Sequence, residues 1–359
     1  MRVALVHYWL LGQRGGEKVL EALCRLFPAA EIFTLFCEPD SISPFLRSRK
    51  IHVSRLNPLR RFYRPLLPLM PAALESFDLS GYDLVISSES GPAKGVITSA
   101  KARHICYCHT PMRYLWELSA DYRNRNRLVR ALYAPLANYL RLWDYATAAR
   151  VDTFLANSVN VKRRIWKTWR RRAGVVYPPV AVNTFHREAS RDYYLIVSEM
   201  VSYKRLDVAV RTFAESGRKL KIAGGGPEYG RLRRIAAPNI EFCGRVCDAE
   251  LRDLYSKCAA LIVPCEEDFG ITMVEALASG KPVIALARGG AVEILQNGCG
   301  ILYEEPGQSL KDAIARFETA QHRFAPAHLM ARAAHFSEDR FAARFTAALQ
   351  RSGCAAANA

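Results

Sequence analysis

Two carboxylates eight positions apart, Glu267 and Glu275, stand in the part of this chain best suited to chemistry. Before them lies Leu261-Ile262-Val263-Pro264, a short apolar run that reads as a buried strand. After them lies Lys281-Pro282-Val283-Ile284-Ala285, a second one. The residues from about Gly270 to Ser279 predict a helix, with Gly280 just past its end, where positive φ is wanted. The unit is strand, acidic loop, helix, strand. The helix opens at Phe269-Gly270-Ile271, and its first N–H groups have no intrahelical acceptor. Glu267 falls in the loop and Glu275 a turn or more into the helix. Carboxylates accept from hydroxyls and free N–H groups donate to oxygens, so such a unit suits a ligand carrying both hydroxyls and negative charge.

The elements that must hold this unit extend over the whole chain. Its 359 residues suggest two domains, and half of them are hydrophobic, which excludes a disordered chain. No apolar run approaches the roughly 18 residues needed to cross a bilayer, and the start Met1-Arg2-Val3-Ala4-Leu5-Val6 reads as a strand, not a secretory signal. A cytoplasmic location is expected. The ten cysteines have no paired zinc spacing and are expected to be buried free thiols. No metal site is expected. Residues 1–188 carry 29 basic against 14 acidic side chains, a net of +15, whereas 189–359 carry 22 against 20, a net of +2. The first half therefore suits a polyanionic partner: nucleic acid, anionic membrane or a phosphorylated acceptor.

Strands are expected at residues 2–10, 30–36, 82–88, 104–111 (ending in a loop), 152–158 (ending in an N-cap signal at Asn157-Ser158 for a helix over 159–169) and 175–180, with helices between them. Gly15-Gly16 end the first βα turn, an anion-approach geometry whose spacing matches neither the dinucleotide fingerprint nor a P-loop. A plain tight turn remains the other reading. His109 falls at the carboxyl end of a strand, where open α/β sheets place ligands, although a lone histidine is ordinarily structural. Residues 51–74 lack acids and mix Arg55, Arg60, Arg61 and Arg64 with Leu, Phe, Tyr and four prolines. Residues 122–143 repeat the pattern with Arg123, Arg125, Arg127, Arg130 and Arg141. Both suit a lipid surface as well as an ordinary covering segment. The second half restarts the alternation at Tyr193–Ser198. Lys204, Gly224–Gly226 and Glu267–Glu275 also fall at strand ends.

Together these strings resemble the family-4 retaining glycosyltransferases of GT-B fold, over nearly the whole chain. The most specific part is Glu267-x7-Glu275 around Phe269-Gly270-Ile271, followed by Ala278-Ser279-Gly280-Lys281-Pro282-Val283. Asn157-Ser158, Val176-Tyr177-Pro178-Pro179-Val180, Tyr203-Lys204-Arg205-Leu206-Asp207, Ala223-Gly224-Gly225-Gly226-Pro227 and Gly289-Gly290-Ala291-Val292-Glu293 support it. Val6-His7-Tyr8-Trp9, Gly15-Gly16-Glu17-Lys18-Val19 and His109-Thr110-Pro111-Met112-Arg113 narrow the likeness to bacterial mannosyltransferases of O-antigen and exopolysaccharide synthesis.

The resemblance implies an α/β protein with two Rossmann-like doubly wound domains facing across a cleft: 1–187 for acceptor and membrane, 188–339 for donor. A helix at 340–351 would pack back towards the first domain, and 352–359 would be a flexible tail. It implies transfer of mannose from GDP-mannose to a polyprenyl-diphosphate-linked glycan, with retention, no metal and no cofactor, on the inner face of the plasma membrane. His109 would contact the transferred sugar, Glu267 its hydroxyls, and Lys204 the diphosphate. Gly15 and Gly16 would let backbone approach the phosphates and the acceptor, and Gly225 would line the donor site. Phe269, Gly270 and Ile271 would offer N–H groups, Glu275 would take the ribose, and Arg205, Arg245 and Val246 would complete the donor site. The family's usual Arg shortly before its Lys is replaced by Ser198-Glu199-Met200, which leaves Arg205 or an arginine of the first domain to supply the second charge. Four alternatives differ in what they require. A UDP-sugar donor fits the same residues. An epimerase needs further cleft carboxylates, and a phosphorylase a much longer chain. A nucleic-acid binder fits the charge but not the interleaved Leu, Pro and Tyr.

Overall fold

The structure, a computed structural model, describes residues 1–89, 91–117, 127–305 and 309–353. The chain forms two compact units. One is Met1–Tyr177 together with the chain from Phe341, and the other is Pro178–Arg340.

The first unit is a seven-stranded parallel sheet in the order β3-β2-β1-β4-β5-β6-β7. Its strands are β1 Val3–Leu10, β2 Glu31–Cys37, β3 Ile51–Val53, β4 Leu84–Glu89, β5 Arg103–Cys108, β6 Thr153–Ala156 and β7 Ala173–Val175. Parallel strands covered on both faces read as nearly unbroken apolar runs, as β1 and β2 do. Alternate side chains serve two cores. Val3 and Leu5 join Leu23, Ile86 and Tyr107 on one face, and Ala4 and Val6 join Phe33, Val85 and Val96 on the other. The last helix, Glu338–Arg351, completes the first of these cores by packing Phe341 and Phe345 against Tyr107.

The expected strand at 175–180 ends early. β7 stops at Val175, and Pro178-Pro179, which have no N–H to give a ladder, lead out of the unit. From there the backbone is tied to the second unit. Val180 N–H donates to Phe336 O at 2.9 Å, Glu188 N–H donates to Ser256 O at 3.1 Å, and Lys281 Nζ donates to Glu188 O at 3.0 Å. The second unit therefore begins at Pro178 and not at 188.

That unit is a six-stranded parallel sheet, β10-β9-β8-β11-β12-β13. The strands are β8 Tyr194–Val197, β9 Leu220–Ala223, β10 Ile240–Gly244, β11 Leu261–Val263, β12 Val283–Leu286 and β13 Gly300–Tyr303. Helices Tyr229–Ile235 and Pro326–Ala334, absent from the sequence reading, lie among the connections.

Residues 51–75 form β3 and then 3-10 turns at Asn57–Phe62 and Leu67–Leu69 before the helix Met70–Glu75. The helix Arg127–Thr147 lies beside them: Trp143 Nε1 donates to Glu75 Oε1 at 3.1 Å. Arg123 and Arg125 lie outside the described residues, as does the tail from 354. Nine described cysteines are free; seven are buried as expected, but Cys243 is half-buried and Cys247 exposed. Among the described residues no helix is long and apolar enough to cross a membrane.

His104 on β5 is fully buried. Its Nε2 meets Ser87 Oγ at 2.9 Å and its Nδ1 meets Arg150 O at 3.3 Å, a pattern that a neutral ring satisfies. Burial pushes its pKa down to about 4. The folded state thus binds fewer protons than the unfolded one, and stability rises with pH. The His104 contribution, on the order of 3 kcal/mol, is complete above about pH 6.5 and is lost as pH falls through about 4. Urea unfolding between pH 7.5 and 4 is expected to show this slope, and His104→Gln to flatten it.

Candidate functional site

In the second unit the strand order reverses between β8 and β11, the place where open α/β sheets bind ligands at their carboxyl ends. Lys204 follows β8, in the 3-10 turn Ser202–Lys204. Glu267 follows β11. The reversal brings their side chains together: Lys204 Nζ lies 2.6 Å from both Glu267 oxygens. Burial opposes the ammonium charge, but the carboxylate outweighs it and holds the Lys204 pKa above its ordinary range. Cys265 Sγ donates to Glu267 Oε1 at 3.5 Å. The resemblance gives these residues to separate groups of the ligand; in the structure they also form an ion pair with each other.

Backbone contact fixes the Glu267 loop. Gly290 N–H donates to Glu267 O at 2.8 Å, and Glu267 and Gly289 form a β-bridge. A Cβ at Gly289 would stand 2.1 Å from Glu267 O, and one at Gly290 1.9 Å from Phe269 O, so only glycine admits this approach. The helix Ile271–Ala278 follows, capped by Gly270 at φ 100°. Phe269 is buried against Phe336. Glu275 is 3% exposed and accepts from Tyr255 Oη at 2.9 Å.

The glycine loop after β9 is held in the same way. A Cβ at Gly224 would meet Ser198 O at 2.0 Å, and one at Gly226 would meet Met200 O at 2.5 Å. Glu199, between those two residues, is exposed. Arg205 is paired with Glu305 at 2.6 Å. Arg245 is exposed beside Gly225, whose Cβ would lie 3.7 Å from the Arg245 Nε, and it has no ion pair among the described residues. Val246 is half-buried next to it.

The first unit reverses its strand order between β1 and β4. Gly15 and Gly16 open the helix Gly15–Leu26 just beyond β1. His109 follows β5, with Nε2 2.9 Å from Ser88 Oγ. Burial, with His7 nearby, pushes its pKa down to about 3, so the ring is neutral. A Cβ on Gly16 would come within 3.4 Å of His7 Cε1 and 3.8 Å of His109 Nε2. The structure gathers His7, Ser88 and Glu17 around Gly16 and His109; the sequence reading singled out Gly15, Gly16 and His109 and not the other three. The available signal was a histidine inside the otherwise apolar run that becomes β1.

Two family models match in chain order without overlap: Glycosyltransferase Family 4 over residues 13–184 and Glycosyl transferases group 1 over 191–319. The chain thus carries a glycosyltransferase domain of the Family 4 type in its first half and one of the group 1 type in its second. An uncharacterized glycosyltransferase of Methanocaldococcus jannaschii is 30% identical over 169 residues, covering 45% of this chain and 48% of that protein. The O-antigen chain mannosyltransferase RfbU of Salmonella typhimurium is 28% identical over 211 residues, covering 52% of this chain and 59% of that one. The chain thus spans about half the length of these relatives. Anabaena HepE, solved in complex with UDP, superposes with a TM-score of 0.72 over 98% of this chain and 100% of that one at 15% identity, which establishes the GT-B fold.

The Gly289-Gly290 contacts make a direct prediction. Gly290→Ala forces the Phe269 carbonyl and the Glu267 loop to move. A loss of about 1–3 kcal/mol is expected in denaturant unfolding, with weakened nucleotide binding in a thermal-shift titration.

Proposed function

We propose that this chain is a retaining, metal-independent mannosyltransferase that moves mannose from GDP-mannose to a polyprenyl-diphosphate-linked glycan. The observation that carries the reading is the Lys204–Glu267 pair at the strand reversal of the second unit, beside the helix that opens at Ile271. An ammonium has three N–H donors, and Glu267 occupies two of them. The third is available to a diphosphate oxygen, so Lys204 can stabilise the leaving nucleoside diphosphate while Glu267 faces the developing cationic sugar. Arg245, with no ion pair among the described residues, supplies the second cation that Ser198-Glu199-Met200 does not. Glu275, fixed by Tyr255, takes ribose hydroxyls. Mannose as the transferred sugar is supported by the relative named as an O-antigen chain mannosyltransferase.

The lipid-linked acceptor and a peripheral position on the inner membrane face are supported by the surface of the first unit. Leu59, Phe62 and Leu69 are exposed on residues 51–75, and Tyr139, Leu142 and Tyr145 on the neighbouring helix; Phe62 is 67% exposed and Leu142 65%. Arg55, Arg61 and Arg64 are exposed among them, whereas Arg60 is paired with Glu38. Exposed apolar groups with cations suit anionic headgroups over an aqueous polyanion.

A thermal-shift panel of GDP, UDP, ADP and their sugars tests the donor. GDP-mannose at 100 times its Kd is expected to stabilise the native state by about 2.7 kcal/mol. Stabilisation by UDP-sugars alone would replace the donor. Glu275→Gln keeps an acceptor for Tyr255 and should lose the nucleotide shift. Lys204→Ala should lower kcat/KM by about 10²–10³-fold, and turnover should survive EDTA. For the surface, binding to anionic liposomes should weaken with salt and fall further in a Phe62→Ser, Leu142→Ser variant. Binding to RNA without liposome binding would overturn the membrane reading.

A further inference from the structure

A cleft of about 600 Å³ opens in the first unit at the amino ends of its strands. Arg2 stands just before β1, Glu31 opens β2, His52 lies in β3 and Tyr82 shortly precedes β4. Gly15, Gly16 and His109 follow carboxyl ends instead. The eight residues of β1 separate the two ends of the sheet by roughly 25 Å. None of the roles above uses the polar groups that line this cleft.

Glu31 is its fixed point. Glu31 Oε2 lies 2.6 Å from His52 Nε2 and accepts from Tyr82 Oη at 2.8 Å, and Oε1 accepts from Lys50 Nζ at 3.1 Å. The bond to His52, with those to Tyr82 and Lys50, holds the carboxyl pKa down to about 2. The His52 ring lies flat on Phe33, its register partner on β2, with centroids 4.5 Å apart and planes 12° apart. One face of the imidazole is thereby covered, yet the side chain is 36% exposed and lines the cleft. Phe77 and Tyr82 meet Phe33 edge-on at 5.4 and 5.5 Å. Arg2 extends this aromatic wall. Its guanidinium carbon lies 4.8 Å from the centre of the Tyr82 ring, and it has no ion pair among the described residues. Gly81 makes room for it: a Cβ there would stand 2.8 Å from Arg2 Nη1, although the backbone needs no positive φ. The other carboxylate of the cleft, Asp78, is turned to its own loop and accepts from Ser80 N–H at 3.0 Å and from Ser80 Oγ at 2.6 Å.

We propose that this cleft binds an aromatic monocarboxylate, with Arg2 holding the carboxylate and the open face of His52 stacking on the ring. The charges select the anion. Of the cleft's cations Arg2 alone lacks an acidic partner, and a guanidinium takes a carboxylate through two parallel N–H donors. A phosphate dianion would bring a second negative charge towards Glu31 and Asp78 with no second unpaired cation to meet it. The walls select the body. A bare anion would leave most of the cleft to water, whereas a flat ring covers the imidazole face and meets Phe77. Stacking on Tyr82 already orders the Arg2 fork, so little side-chain freedom is lost on binding. At the far end of the sheet from Gly15, Gly16 and His109, such a ligand is neither donor nor acceptor. The inference does not depend on the glycosyltransferase reading.

The test titrates the full chain with benzoate, indole-3-carboxylate, acetate and phenyl phosphate. The His52 ring is followed in ¹H–¹³C spectra, assigned through His52→Gln. Benzoate and indole-3-carboxylate are expected to shift the His52 signals saturably, at concentrations where acetate and phenyl phosphate do not. Arg2→Gln is expected to weaken benzoate binding about tenfold, the effect of losing a charge-assisted pair of hydrogen bonds, with the ligand-free melting temperature unchanged. Arg2→Lys, which keeps the charge and loses the planar fork, is expected to weaken it as well. Equal movement with acetate would reduce the site to a surface anion contact and overturn the proposal. Tighter binding of phenyl phosphate would make it a phosphate site and overturn it too. So would His52 signals that stay still in every titration, or benzoate binding that both Arg2 variants leave intact.

Discussion

A reversal of strand order is the constraint on which the rest of this structure depends. In each sheet the chain winds outward in one direction from a first strand, β1 or β8, then returns to that strand and winds the other way. Right-handed crossovers place successive helices on opposite faces on the two sides of the reversal. The loops leaving the two central strands therefore diverge, and the gap between them is not filled by a covering helix. Polar groups at that gap face an opening built by topology, not by any single motif. In the second unit Lys204 and Glu267 come from the two sides of the reversal, and in the first unit Gly16 and Ser88 do.

The glycines at these ends are best understood through that geometry. Gly224, Gly226, Gly289 and Gly290 lie where one strand-end loop presses on the backbone of its neighbour, with no room for a side chain. Such contacts leave the loops little freedom. Lys204 and Glu267 then meet at hydrogen-bond distance, and the cost of ordering them is met in folding.

How far the sequence disclosed this follows from how local each signal is. The strand, loop and helix around Glu267 were legible because apolar runs, a glycine cap and an acidic loop lie within 25 residues. The Ser158 cap was legible for the same reason, and its Oγ accepts from Val161 N–H at 3.0 Å. The Lys204–Glu267 pair was not, because it joins residues 63 positions apart whose only link is the sheet order. The helices Tyr229–Ile235 and Pro326–Ala334 were missed because neither has a side-chain cap to mark its start. The strand expected at 175–180 was read from apolar content, and the prolines that end it were given too little weight. His7 and Glu17 were quoted only as parts of family strings. Their burial, and with it their chemical interest, exists only once β1 and the following helix pack together.

The first unit contains a buried ion pair whose surroundings contrast with the looser contact of His7 and Glu17, 3.7 Å apart. Lys94 and Asp144 are both fully buried and paired. Asp144 also accepts from the indole N–H groups of Trp116 and Trp169, each at 2.8 Å, while Lys94 Nζ lies 4.4 Å from the centre of the Trp169 ring. Every polar atom named there is answered by the protein itself, as a purely structural ion pair must be if its desolvation is to be offset. His7 has no such answer. The same fold that satisfies Asp144 with donors from three other segments leaves the His7 ring nitrogens without a hydrogen bond, so burial in this unit is met by full pairing at one place and by a longer electrostatic contact at another.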